Sequence, residues 1–183
     1  MLYNLHMLMM YVKKHLDSVM TIYASSQTSG GGRCHCTQLR KASRRISQLY
    51  DETLAPSGLK TTQRAILAEI ARSQPMTMGA LAQAMVMDAG GLAHTLKPLH
   101  RDGLVEIGVD PDDRRSRRIT ITVSGRAKLT ASDALWDAAQ HGFEEVFGAQ
   151  PSAALRAALE VLAASDFVDR FEQSLAQNGV GRS

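Results

Sequence analysis

The stretch TMGALAQAMVMDAGGLAHTLKPLHRDGLVEIGVDPDDRRSRRITIT, residues 77–122, decides how the rest of the chain is read. In TMGALAQAM (77–85), Thr77 is placed as an N-cap, and Leu81, Ala82 and Met85 are spaced for one buried helical face. In DAGGLAHTLKPLHRDG (88–103), Asp88 caps a second helix, Leu92, Leu96 and Leu99 recur at i, i+4 and i+7, and Gly103 stops it. The opposite face carries Ala89, Gly90, Ala93, His94, Lys97 and Arg101, short groups first and cations later. Beyond Gly103, LVEI and RRITITV are short β-type runs joined by the turn-forming GVDPDD, and Arg114, Arg115, Arg117 and Arg118 crowd the end of that loop.

Two short helices across a tight turn, then two strands with a basic loop, predict a winged helix-turn-helix. Such a unit lays short residues into the major groove and turns its cations toward phosphates. A cluster of arginines on a hairpin tip suits phosphate or minor-groove contact, because the planar guanidinium donates several hydrogen bonds and keeps its charge. Asp113, two residues before Arg115, is placed to hold that arginine in one aimed rotamer.

Asp113-x-Arg115, followed by Ile121-Thr122 and Gly125, resembles the wing signature of the MarR family (multiple antibiotic resistance regulators), D-x-R, then L-T and a glycine. The upstream DAGGLAHTLKPLHRDGLVE is similar to that family's recognition helix and its exit into the wing, and the resemblance spans roughly residues 37–176. It implies a mainly α protein with a small β-wing: a winged helix-turn-helix domain plus N- and C-terminal helices that form a dimerisation domain. It also implies a homodimer on pseudopalindromic double-stranded DNA, released by a small phenolic or aromatic ligand or by thiol oxidation. On that reading Gly90, Ala93, His94 and Lys97 lie at the major groove, Arg115 held by Asp113 reaches the minor groove, and Arg101, Arg114, Arg117 and Arg118 meet phosphates. The chain departs from the family in having Ala93-His94 where an arginine, or a polar residue and an arginine, is usual. It also carries Gly90-Gly91, each interior glycine costing a helix about 0.5–1 kcal/mol relative to alanine.

The 183 residues suffice for one domain with additional segments, and 44% hydrophobic against 21% charged residues reads as globular. A net charge of +3 does not by itself argue for nucleic acid. The crowding of arginines into one loop does. Few aromatic residues disfavour base-stacking platforms for single strands. The two cysteines, Cys34 and Cys36, and the lack of an evident secretion signal suit a cytoplasmic protein. The apolar run Leu5–Val12 is too short to span a bilayer, so no membrane is expected among the partners.

Five segments are expected. Residues 1–33 form an N-terminal extension ending in the Ser/Gly-rich SSQTSGGG linker; an artefactual upstream start, a helix docking onto the dimer and a membrane-surface helix stand as its readings, the first with most weight. Residues 34–60 supply the N-terminal helix of the dimerisation region, from about Thr37 to Leu54, with Leu39, Ala42, Ile46, Leu49 and Tyr50 as its stripe. Arg40, Lys41, Arg44 and Arg45 beside it read as a solvated face, or else as the lining of an anionic pocket. Residues 61–123 are the DNA-binding domain, its first helix capped by Thr61 or Thr62 and ending before Pro75. Residues 124–176 form dimerisation helices, one capped by Ser124 and running to Phe147, one from Ser152 to about Leu175, with more apolar face than the small domain can cover. Residues 177–183 are a tail.

Pro98 inside the second helix forfeits the hydrogen bond to the His94 carbonyl, a penalty of about 3 kcal/mol in a helix interior. Either the helix bends there and keeps Leu99 on the core, or it frays after Lys97. No glycine-rich phosphate loop, H-E-x-x-H or G-x-S-x-G occurs, and neither enzymatic activity nor a cofactor is expected. Cys34-His35-Cys36 is the one other constellation with chemistry: soft ligands for copper(I) or zinc, or thiols activated near a helix N-terminus. The function expected is a repressor of nearby genes, and the alternative is a metal- or redox-active protein centred on these three residues that uses the winged unit for protein interaction.

Overall fold

A computed structural model describes residues 34–111, 113 and 116–179. The expected N-terminal extension, Arg114 and Arg115 lie outside the described residues. The chain divides into two units, 1–47 and 48–183, and the boundary falls within the first helix, α1 (His35–Leu54). In the first unit, residues 34–47 are exposed except for the half-buried Ile46.

In the second unit a one-turn 3-10 helix (Ala55–Ser57) leads to α2 (Thr61–Ser73), β1 (Met76–Thr77), α3 (Met78–Ala84) and α4 (Ala89–Arg101). Strands β2 (Val105–Val109) and β3 (Arg117–Ile121) form an antiparallel hairpin, Val105 facing Ile121 and Val109 facing Arg117, and β1 pairs with the other edge of β3. Four helices follow: α5 (Val123–Ala131), α6 (Asp133–Phe147), α7 (Ala149–Ala163) and α8 (Ser165–Gln177). This is the winged helix-turn-helix that the sequence predicts.

Ile66, Leu67 and Ile70 of α2, Leu81 of α3, Leu92, Leu96 and Leu99 of α4, and Val105 and Ile119 of the sheet are almost fully buried in one cluster. Each such side chain contributes about 1.5–3 kcal/mol relative to leaving it in water, so the helix pair and the wing are joined through one core. The turn between α3 and α4 passes through Val86 at φ 50°, a left-handed position that costs a β-branched residue about 1–2 kcal/mol.

Several boundaries differ from expectation, each for a local reason. Neither Thr61 nor Thr62 caps α2; the N-cap is Lys60, whose N–H donates to the Gln63 side chain at 3.0 Å, while the Thr61 N–H donates to Asp51 at 2.7 Å. Thr122, not Ser124, caps α5, accepting from the Gly125 N–H at 2.9 Å. The helix expected over 124–147 is two, because the buried Ser132 turns its hydroxyl back onto the Leu129 carbonyl at 2.6 Å. The helix expected over 152–175 is also two. It starts earlier, at Ala149, since a proline in the first turn forfeits no intrahelical bond, and it breaks at the extended Ala164 (ψ 145°). Asp166 then lies in the first turn of α8, where a carboxylate is favoured by the helix dipole. Helix α4 does not fray after Lys97: it runs through Pro98, whose carbonyl accepts from the Asp102 N–H at 2.9 Å.

Gly125 sits where only hydrogen fits. A Cβ built there would lie 2.0 Å from the Leu104 carbonyl oxygen and 2.7 Å from Ile121 Cγ1. Gly125→Ala is therefore expected to destabilise the fold by about 1–3 kcal/mol, read as a lowered midpoint in urea at unchanged slope.

Candidate nucleic-acid interface

Helix α4 is held from both ends. At its start the Asp88 carboxylate accepts from the Gly91 N–H at 2.8 Å. A Cβ at Gly90 or Gly91 would lie 3.2 or 3.1 Å from the Asp88 oxygens, a close approach that a small turn of the Asp88 side chain relieves. At the other end Gly103 (φ 67°) takes the left-handed conformation, with its N–H on the His100 carbonyl at 3.0 Å and the Leu104 N–H on the Leu99 carbonyl at 2.9 Å. This pair of bonds is a Schellman closure.

With Leu92, Leu96 and Leu99 turned inward, Gly90, Ala93, His94, Lys97 and Arg101 are all exposed on the outer face. The structure brings these five sequence-predicted residues onto one stripe. Arg101 is not a bare cation: Asp102, at the helix C-cap, binds its Nε at 2.8 Å and its Nη2 at 3.3 Å. The arginine hydrogen bond holds the Asp102 carboxyl below the usual carboxylate range and pushes the Arg101 guanidinium above its own.

On the hairpin, Arg117 is exposed at the start of β3. Arg118 is half-buried and pairs with the buried Asp110 at 3.1 Å, so it is engaged within the wing. The exposed Asp113 accepts from the Ser116 N–H through its carbonyl at 2.9 Å, and Asp110 and Ser116 bond across the loop at 3.2 Å. Sequence reasoning missed the two carboxylates that bind the arginines Arg101 and Arg118 of this face. Asp102 is adjacent to Arg101, and the hairpin register that sets Gly108 against Arg118 brings Asp110 within reach, so both signals lay in the spacing.

Cys34 and Cys36 are exposed and free at the start of α1. The Cys34 thiol is held below its ordinary value by the Thr37 side chain first, then by the backbone of Thr37 and Cys36, with Arg40 adding its charge. Among the described residues no group of three His, Cys, Asp or Glu side chains is arranged to hold a metal ion.

The MarR family profile matches residues 57–116, from the end of the 3-10 helix to the residue before β3. The transcriptional regulator MosR of M. tuberculosis, solved in complex with DNA, is 34% identical and superposes with a TM-score of 0.66 over 75% of this chain and 99% of its own. The chain belongs to the MarR family. The transcriptional repressor CouR, solved on a 23-mer DNA duplex, has the same fold at 22% identity, with a TM-score of 0.68 over 75% of this chain and 98% of that one. The transcriptional activatory protein BadR of Rhodopseudomonas palustris is 38% identical over 72 residues, 38% of this chain and 41% of BadR. The chain therefore spans about two fifths of that curated relative's length.

Loss of the α4 cap isolates the contribution of Asp88. Asp88→Ala is expected to cost about 1 kcal/mol in chemical denaturation, and to speed amide exchange at Gly91 relative to the core of the helix.

Proposed function

We propose that this MarR-family chain is a cytoplasmic, homodimeric transcriptional regulator that binds a pseudopalindromic double-stranded operator and represses nearby genes. The exposed stripe of α4, backed by three buried leucines, carries the reading. MosR supports it, because the chain matches nearly the whole of a relative solved with DNA.

Gly90 and Ala93 let the backbone approach the major groove, where His94 and Lys97 are the side chains long enough to reach base edges. Arg115, the wing residue of the family pattern, enters the minor groove. Arg101, Arg114 and Arg117 meet phosphates, and Arg118 serves the wing from within through Asp110. The dimer is supported by apolar residues left in water: Leu159, Val161 and Leu162 of α7, and Val168 and Phe171 of α8, are each more than two fifths exposed. Activation is the second reading, favoured by BadR. A promoter fusion decides between them: deletion of the gene raises output under repression and lowers it under activation.

Arg115→Ala is expected to weaken binding to a selected duplex by roughly 1–3 kcal/mol, and Arg117→Ala to lower the salt slope by about 1. Asp102→Asn, which frees Arg101, is expected to tighten binding about two- to threefold, as for release of an exposed pair. If the full chain retains no duplex from a random pool, the reading is wrong.

Release follows one of two routes, a small aromatic or phenolic ligand or oxidation of Cys34. In the second, the Cys34 thiolate attacks a peroxide to give a sulfenic acid, and the Cys36 thiol displaces water from it to form a disulfide. Because the Cys34 value is lowered, its thiolate persists to more acidic pH than that of an ordinary cysteine. Thr37→Val should move the pH profile of Cys34 alkylation upward. Peroxide should abolish DNA retention in the parent, and Cys34→Ser or Cys36→Ser should preserve it.

A further inference from the structure

Arg64 is the one buried cation among the described residues, and nothing in the DNA-reading face uses it. It projects from α2, beside core residues Ile66 and Leu67, onto the break between α5 and α6. Its Nε donates to the Ser132 hydroxyl at 3.0 Å and its Nη2 to the Asp133 carboxylate at 2.6 Å. Its guanidinium carbon lies 4.4 Å from the centroid of the Trp136 ring. Trp136 in turn meets Tyr50 edge to face, with centroids 5.4 Å apart, and the Tyr50 hydroxyl donates to Gln140 at 3.2 Å. Burial first, and then the charge of Glu144, raises the Tyr50 pKa, which keeps that hydroxyl a donor.

Helix stability does not account for this arrangement. A cation at a helix N-terminus faces the positive end of the dipole, and Arg64 grips the N-cap and first turn of α6. Its ionic partner Asp133 is half exposed, where a salt bridge contributes only about 0–1 kcal/mol. What the arrangement does supply is direction. Two donors of one planar fork engage residues 132 and 133 and its guanidinium carbon lies over the ring of residue 136, so α6 is held at a defined angle and rotation to the α2 core.

We propose that Arg64 is a positioning residue for DNA binding: it fixes the direction in which α6 leaves the winged domain, and thereby the separation of the two α4 helices in the dimer. This rests on the dimeric DNA-binding reading above. The cost of loosening it falls on geometry rather than on contact with any one half-site.

The test uses the full chain and a duplex that the parent selects from a random pool, next to the same duplex with one base pair inserted between its half-sites. The parent is expected to lose tenfold or more in affinity on insertion. Arg64→Met, with its dimer and thermal melt retained, is expected to lose less than threefold, while binding an isolated half-site as the parent does. Asp133→Asn, at a half-exposed position, keeps the Trp136 and Ser132 contacts and is expected to fall between, so the question stays open to decision if Arg64→Met does not fold. Discrimination equal to the parent's in the folded Arg64→Met variant, or in Asp133→Asn if that is the one that folds, overturns the proposal. A parent that selects no duplex overturns the DNA-binding reading and this proposal together; a parent that selects a duplex but is indifferent to the insertion overturns the proposal alone.

Discussion

The burial of Leu92, Leu96 and Leu99 is the constraint on which the rest depends. These three side chains, one helical turn apart, hold α4 against α2, α3 and the sheet, and the same periodicity leaves a continuous stripe facing out. Had the apolar residues been distributed around the helix, α4 would be an interior element with no surface to present. The core thus determines which residues of α4 meet another molecule before any of those residues is considered.

Much of this was legible because the forces concerned are local. Thr77 and Asp88 cap the helices they precede, Gly103 ends α4, and the alternation in RRITI becomes a strand whose inward residues, Ile119 and Ile121, join the core. The first interruption of the C-terminal helices, at Ser132, was not legible because it involves a partner distant in sequence as well as the Leu129 carbonyl, and the extended Ala164 carries no helix-breaking residue to announce the second. Ser132 is an ordinary helix residue until Arg64, 68 positions away, binds its hydroxyl. Val86 likewise carries no turn signal; tertiary packing of the flanking Met85 and Met87 against the core places it in a left-handed conformation.

The candidate site was legible as a set of residues and less so as a set of charges. The stripe on α4 follows from spacing alone. The engagement of Arg101 by Asp102 and of Arg118 by Asp110 requires knowing where a helix ends and how a hairpin registers. Counting arginines overstates the cationic potential of such a surface, since each internal carboxylate offsets part of it and phosphates must compete for what remains.

Thr122 ties three elements together within a few ångströms. Its hydroxyl donates to the Gly103 carbonyl at 2.7 Å, its N–H donates to the Leu104 carbonyl at 3.1 Å, and its side-chain oxygen receives the Gly125 N–H. The end of α4, the root of the wing and the first turn of α5 therefore share one knot of peptide groups, with Gly125 pressed so close that no side chain intervenes as a cushion. A change in the angle of α5 therefore has to be taken up by the peptide groups at the end of α4, because no side chain lies between them to absorb it by a rotamer change.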